Sequence, residues 1–464
     1  MRYRGRGFGH RPGHVGFGRV RSVPAPDVAA LLLELERSDP ATADAARLAV
    51  DWLTGGKPLE TIAQIDVCDF LWYTLPVRIE ATDEERLRIA RALGRLLRLG
   101  GMPRYAALCL SGTTARILRT YRLAGEEAGL AACQRALEAT GVLPPDVPEL
   151  TWSTIMGPEE SAAHTACSAA LELAIVSGEL TPGADRARAR LTARWLLTPR
   201  PELGGDNWLQ RVHGERLNRW VLGRGAARRA LAQPYEVRLH APVPPPDGDH
   251  LEPLRWLLEL GVSGVPLTRR HNLARAVAIE AAERFGWRAR GGRVPRAEAD
   301  VPELVTLHGI ARAELRALRR TGAKLVITKE GRRLLDDPGA MWDAATSALT
   351  APEDGGSDAT MHEIALMILA EGRPLRDGEL TAWVAEVAAV DDRRPYGDAG
   401  TSPAATHGPQ ASRLLDRLRR RLDAFGLRTR PRSDADQLTP VGQAAALAAL
   451  RAHALRPRRY ITPR

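Results

Sequence analysis

The stretch Gln410–Phe425 constrains the fold more than any other part of the chain. At roughly 100° per residue, Leu414, Leu415, Leu418, Leu422 and Phe425 fall within one arc, and Arg413, Arg417, Arg420 and Arg421 fall within a separate one. A helix built this way must bury its apolar stripe and turn its guanidinium strip toward solvent or an anion. The segment after this helix narrows the choice further. Gly426 ends the helix, Leu427–Arg430 reads as a strand, Pro431–Asp436 as a turn and Gln437–Thr439 as its return. Thr439-Pro440 then caps a last helix over Val441–Ala454, with proline at the first helical position. Upstream, Met361–Ala370 and the stretch 376–389 carry helical apolar spacing.

Helix, helix, basic helix, short hairpin, helix is the order of a winged-helix domain. The junction Gln437–Gly442, with Ala446-Leu447 behind it, resembles the strand-to-helix junction of bacterial winged-helix regulators. In such a domain the third helix enters the major groove, where arginine reads guanine or holds phosphate. On that reading Arg413, Arg417, Arg420 and Arg421 form the reading helix. Arg428, Arg430 and Arg432 form a wing that reaches adjacent phosphates. One feature departs from the pattern: the Pro/Gly-rich insertion 391–409 separates the second and third helices, which normally meet in a tight turn.

A second module of the same kind is expected over 251–349. Pro253–Leu260, Leu267–Phe285 and Val301–Leu318 read as helices, with Gly261 and Gly286 ending the first two. A turn at Arg320–Gly322 then leads into the alternating strand Ala323–Ile327. Val326–Gly331 parallels Gln437–Gly442: strand, threonine, two residues, glycine, helix. Arg312, Arg316 and Arg319 are balanced by Glu303 and Glu314, so this copy is expected to be structural.

The 464 residues leave room for several domains. Residues 27–233 read as all-helical. They include a long amphipathic helix opened by Asp83-Glu84-Glu85 and an aromatic run, Asp66–Pro76, read as a buried helix. Residues 234–250, with Pro244-Pro245-Pro246, read as an extended linker, and 350–358 as a second linker. Residues 359–455 hold the last module, and 456–464 form a basic tail. The fold class expected is mainly α: a helical N-terminal region followed by two winged-helix-like modules, each with a small β-hairpin.

Charge is placed unevenly. Only Lys57, Lys324 and Lys329 are lysines, an arginine bias that points first to a GC-rich genome. Position says more than the net +10. Residues 1–26 hold six arginines and no acid, residues 411–464 hold thirteen arginines and four aspartates, and the stretch between is net acidic. Two cationic ends favour a polyanion partner. The first is a Gly/Arg arm in which Arg2, Arg4 and Arg6 can pair with phosphates while Tyr3, Phe8 and Phe17 stack on bases.

Leu325–Trp342 (LVITKEGRRLLDDPGAMW) resembles a recurring segment of uncharacterised actinobacterial proteins, some carrying a plasmid-type open-reading-frame-3-like domain. Trp52–Pro76 and Leu150–Glu160 are similar to the same group. The resemblance carries no established activity and no site residues.

No apolar run follows the basic N-terminus as a signal peptide requires, and no long uncharged apolar stretch exists. Cys68, Cys109, Cys133 and Cys167 are widely spaced and read as buried thiols of a reducing, cytoplasmic setting. There is no His-Glu-x-x-His, Cys-x-x-Cys, phosphate-binding Gly-x-x-x-x-Gly-Lys or Gly-x-Ser-x-Gly pattern. The expectation is therefore a non-enzymatic protein without metal or cofactor that binds nucleic acid, DNA before RNA, in a regulatory, mobile-element or defence role. The alternative is a helical scaffold whose winged helices contact protein partners or a second copy of the chain.

Overall fold

The computed structural model describes residues 27–248, 250–287, 292–350, 356–376, 378–391, 403–429 and 435–459. The chain falls into two units: Met1–Leu150 with Ser161–Trp208, and Thr151–Glu160 with Leu209–Arg464. Among its described residues the first is built of helices, with one isolated antiparallel bridge between Val147 and Leu150. Asp39 accepts the Thr42 amide at 3.1 Å and so separates α1 (Val28–Ser38) from α2 (Pro40–Thr54). The aromatic run is helical throughout: α3 (Gln64–Asp69), one wide turn over Phe70–Thr74, then α4 (Leu75–Arg78). Its Trp72 is buried and donates its indole N–H to Thr114 Oγ1 at 2.9 Å.

Helix α5 (Asp83–Leu99) opens with a reciprocal cap. The Thr82 hydroxyl accepts the Glu85 amide, and the Glu85 carboxylate accepts the Thr82 amide at 2.7 Å. After α6 (Pro103–Cys109), α7 (Gly112–Thr140) is broken at Gly125, whose φ of 84° leaves the helical region. Glu172 on α8 (Pro158–Val176) is buried and accepts from the Gln64 amide at 2.7 Å and the Tyr105 hydroxyl at 2.9 Å. Helix α9 (Asp185–Leu197) completes this unit. All four cysteines are buried free thiols. Burial pushes Cys109 and Cys167 up to about 12, so they are held protonated and are packing groups rather than nucleophiles.

The second unit carries α10 (Trp208–Leu222), α11 (Ala226–Ala232) and then both winged-helix-like modules on one continuous apolar core. The first module runs α12 (Glu252–Ser263), β1 (Val265–Pro266), α13 (Arg275–Arg284), α14 (Pro302–Gly309) with a wide turn to Glu314, β2 (Leu318–Thr321), β3 (Lys324–Ile327), α15 (Lys329–Asp336). Its strands lie in the order β1-β3-β2, all antiparallel. Helix α16 (Pro338–Ser347) leads on to the second module. That module has α17 (Gly356–Ala370), α18 (Glu379–Asp391), α19 (Pro403–Ala424) and α20 (Pro440–Ala454). Its sheet is reduced to two antiparallel bridges, Leu375 with Asp436 and Arg428 with Leu438. The return strand is again central, so the topology repeats.

The parallel between the two strand-to-helix junctions holds atom by atom. Thr328 Oγ1 accepts the Gly331 amide at 3.0 Å, and the Thr328 amide donates to Ala317 O at 2.9 Å. Thr439 Oγ1 accepts the Gly442 amide at 2.9 Å, and its own amide donates to Leu427 O at 3.0 Å. Glycine is required at both places. A Cβ on Gly331 would stand 2.2 Å from Ala317 O, and one on Gly442 1.9 Å from Leu427 O.

The structure departs from the sequence expectations at several elements. Gly261 does not end α12 but lies inside it, where it gives room to the Leu318 side chain that a Cβ would meet at 2.5 Å; the helix ends instead at Gly264, whose φ is 82°. Residues 267–273 form a short loop closed by an antiparallel bridge of Leu267 with Leu273, its tip a turn in which the His271 amide donates to Thr268 O at 2.8 Å, and α13 starts only at Arg275. The third helix stops at Glu314, before β2. Helix α19 begins at Pro403, within the stretch read as an insertion. The Pro-rich segment 234–250 belongs to the second unit: Tyr235 and Leu239 are buried, and Val243 O accepts the Trp342 indole N–H at 3.1 Å.

Candidate nucleic-acid interface

Helix α19 packs as its pattern predicts. Leu414, Leu415, Leu418 and Leu422 are buried, with Phe425 beyond its end. The arginines around this stripe divide into two sets. Arg413, Arg417 and Arg420 are exposed on the opposite face. Their spacing of four and then three residues makes one stripe along about 10 Å of helix. Arg413 Nε donates to Pro409 O at 3.3 Å, one turn back on the same helix.

The other set is tied to acids of the same unit. Arg421 makes two 2.7 Å hydrogen bonds to the two carboxylate oxygens of Glu314 and also donates to Ala348 O. This joins the third helices of the two modules, whose α14 and α19 pack on each other. Arg428 holds Asp423 at 2.6 Å and Asp436 at 2.9 Å. Arg419, which the helical pattern did not single out, holds Asp436 at 2.6 Å and Asp416 at 3.2 Å. Hydrogen bonding to Asp436 raises the Arg419 guanidinium above its ordinary range. Asp436 is almost fully buried and serves both Arg419 and Arg428, so this cluster fixes the hairpin on the helix. Arg421 and Arg428 are therefore structural arginines rather than members of the exposed strip. Arg2, Arg4, Arg6, Arg430 and Arg432 lie outside the described residues.

The first module holds exposed cations that sequence reasoning placed in a balanced segment. Arg312, Arg316, Arg319 and Arg320 are exposed around the end of the third helix and on β2, and Lys324 is exposed on β3. The balance fails because Glu314, one of the two acids set against them, is held by Arg421. A charge sum over a segment does not show which acids are already paired at long range.

Two further polar clusters are internal supports. Arg216 and Glu160 are both buried and pair at 2.6 Å. Glu363, also buried, is held by Arg224, with Arg228 at 3.7 Å and His453 at 3.9 Å. Burial, with the nearby guanidinium groups of Arg456, Arg224 and Arg228, pushes His453 down to about 3. Among the described residues there is no group of three or more His, Cys, Asp or Glu arranged to hold a metal ion. No described helix is long and apolar enough to cross a membrane. The chain matches no protein-family model, no curated protein and no solved structure.

Proposed function

We propose that this protein binds duplex DNA through the exposed face of α19, as a non-enzymatic, cytoplasmic nucleic-acid-binding protein of the winged-helix type. The observation that carries the reading is the exposure of Arg413, Arg417 and Arg420 as one stripe along the third helix, opposite its buried leucines. In this topology that helix is the element that enters the major groove. Arg2, Arg4 and Arg6 of the arginine-rich arm, with Arg430 and Arg432, would add phosphate contacts. The family suggested by Leu325–Trp342 and its regulatory, mobile-element or defence role belong to the same proposal.

A scaffold role is the second reading, and the packing of α14 on α19 favours it, because it commits part of the third helix to contact within the chain rather than to DNA. Binding of labelled duplex over a salt series separates the two. Alanine at Arg413, Arg417 and Arg420 together abolishes or strongly weakens the shift on the DNA reading. It leaves the protein's behaviour unchanged on the scaffold reading.

A further inference from the structure

The first module carries an open cleft of about 790 Å³ between the turn after β1, the third helix and β2. Four arginines from these three elements line it: Arg270, Arg312, Arg319 and Arg320. All four are exposed, and among the described residues none of their side chains has a hydrogen bond or an acidic partner. Four like charges around one concavity repel each other, and a shared anion relieves that repulsion.

The inner side of the cleft has a different chemistry. His308 lines it with a side chain that is 9% exposed, and its Nδ1 lies 2.8 Å from Glu298 Oε1. Glu298 is buried, and its other oxygen accepts the Leu273 amide. His308 Nε2, on the far side of the ring, is buried with no hydrogen-bond partner among the described residues. A buried polar atom of this kind calls for a partner that the protein does not supply. The turn that carries Arg270 also holds His271 at a φ of 62°, a left-handed conformation that a side chain rarely adopts.

The geometry points to a binding site for a free nucleoside phosphate, with the phosphate held by the guanidinium groups at the rim and a polar group of the sugar or base hydrogen-bonded to His308 Nε2. Arginine suits this role because its planar fork holds phosphate oxygens two at a time. The volume lies within the roughly 300–1,000 Å³ typical of small-molecule sites. The site is independent of the α19 stripe, so either proposal stands if the other fails.

The same phosphate chemistry is also presented by the end of a nucleic-acid strand, and titration calorimetry on the full chain distinguishes the sources. The probes are the four ribonucleoside 5′-monophosphates, the corresponding nucleosides, inorganic phosphate and a 5′-phosphorylated oligonucleotide. At least one mononucleotide is expected to bind, with its nucleoside and inorganic phosphate each weaker by about tenfold or more. The double substitution Arg312→Ala with Arg320→Ala removes exposed groups only, and it should weaken that binding by about tenfold or more. His308→Phe should weaken it as well, with calorimetric unfolding run beside it to show that the variant is folded. The inference is overturned by any of three results. No mononucleotide binds at millimolar concentration, inorganic phosphate binds as tightly as the best nucleotide, or the arginine double variant binds equally well. It is overturned too if only the oligonucleotide binds, since the site then takes strand ends.

Discussion

Replacing Arg216 by methionine should be among the most damaging single changes in this protein. Arg216 is buried, and its guanidinium donates to Glu160 Oε1 at 2.6 Å, Thr151 O at 2.8 Å and Leu455 O at 2.6 Å. Glu160 is fully buried and also accepts the Ser153 amide at 2.6 Å. The pair fastens the short segment Thr151–Glu160 and the end of α20 to α10. Methionine fills much of the arginine volume but leaves a carboxylate in the interior without its counter-charge. Removing one partner of a buried pair costs about 3–5 kcal/mol. For a unit of this size that lowers the melting temperature by roughly 6–20 °C, at about 2–4 °C per kcal/mol. Adding Glu160→Gln removes the stranded charge while keeping an oxygen for the Ser153 amide. The double variant should therefore recover at least ~1 kcal/mol relative to Arg216→Met alone, a coupling that a double-mutant cycle isolates. Differential scanning calorimetry of the four proteins measures it. A shift below about 2 °C for Arg216→Met, or a double variant as unstable as the sum of the singles, would refute the reasoning.

The same geometry sets the outcome of three other perturbations. Alanine at Gly442 or at Gly331 forces a Cβ against a backbone carbonyl and should cost about 1–3 kcal/mol in chemical denaturation; a neutral effect would show that the junction gives way. His453 stays neutral in the fold down to about pH 3, whereas the unfolded chain takes up its proton near the ordinary histidine value. The unfolded state thus binds more protons between about pH 6.5 and 3, and stability falls on acidification through that window by up to ~1.4 kcal/mol per pH unit. Burial raises the Glu363 carboxyl, which opposes this slope, and His453→Gln should make the urea-measured stability less dependent on pH. Arg421→Ala should cost about 1–3 kcal/mol by breaking its two hydrogen bonds to Glu314, yet leave DNA affinity nearly unchanged. A large affinity loss without destabilisation would return Arg421 to the reading face.

The helices were legible because their apolar period is local. The stripe of α19 and the acidic opening of α5 at Asp83-Glu84-Glu85 are each encoded within a few residues of where they act. The strand-threonine-glycine junctions were legible for the same reason, and their repetition revealed the second module. Strand β1 was not legible, since two residues between a helix and a turn carry no period. The Pro-rich segment reads as a linker by composition, but Tyr235 and Leu239 find buried sites that only the assembled unit supplies. The candidate interface was half legible. Its arginines stand out on the helical wheel, but the partners that remove Arg421 and Arg428 from it do not. Glu314 lies 107 residues before Arg421, and Asp436 reaches Arg428 only through the hairpin. The basic cleft of the first module was hidden by the same long-range pairing.

The most direct test of the central claim is the salt dependence of duplex binding by fluorescence anisotropy. It compares the full chain with the variant carrying alanine at Arg413, Arg417 and Arg420. Three arginine–phosphate contacts contribute about −2.7 to the slope of log affinity against log salt. The account predicts tight binding at low salt and a slope shallower by ~2–3 in the triple variant, with the melting temperature unchanged. Absence of binding at low salt, or equal slopes for the two proteins, would contradict it.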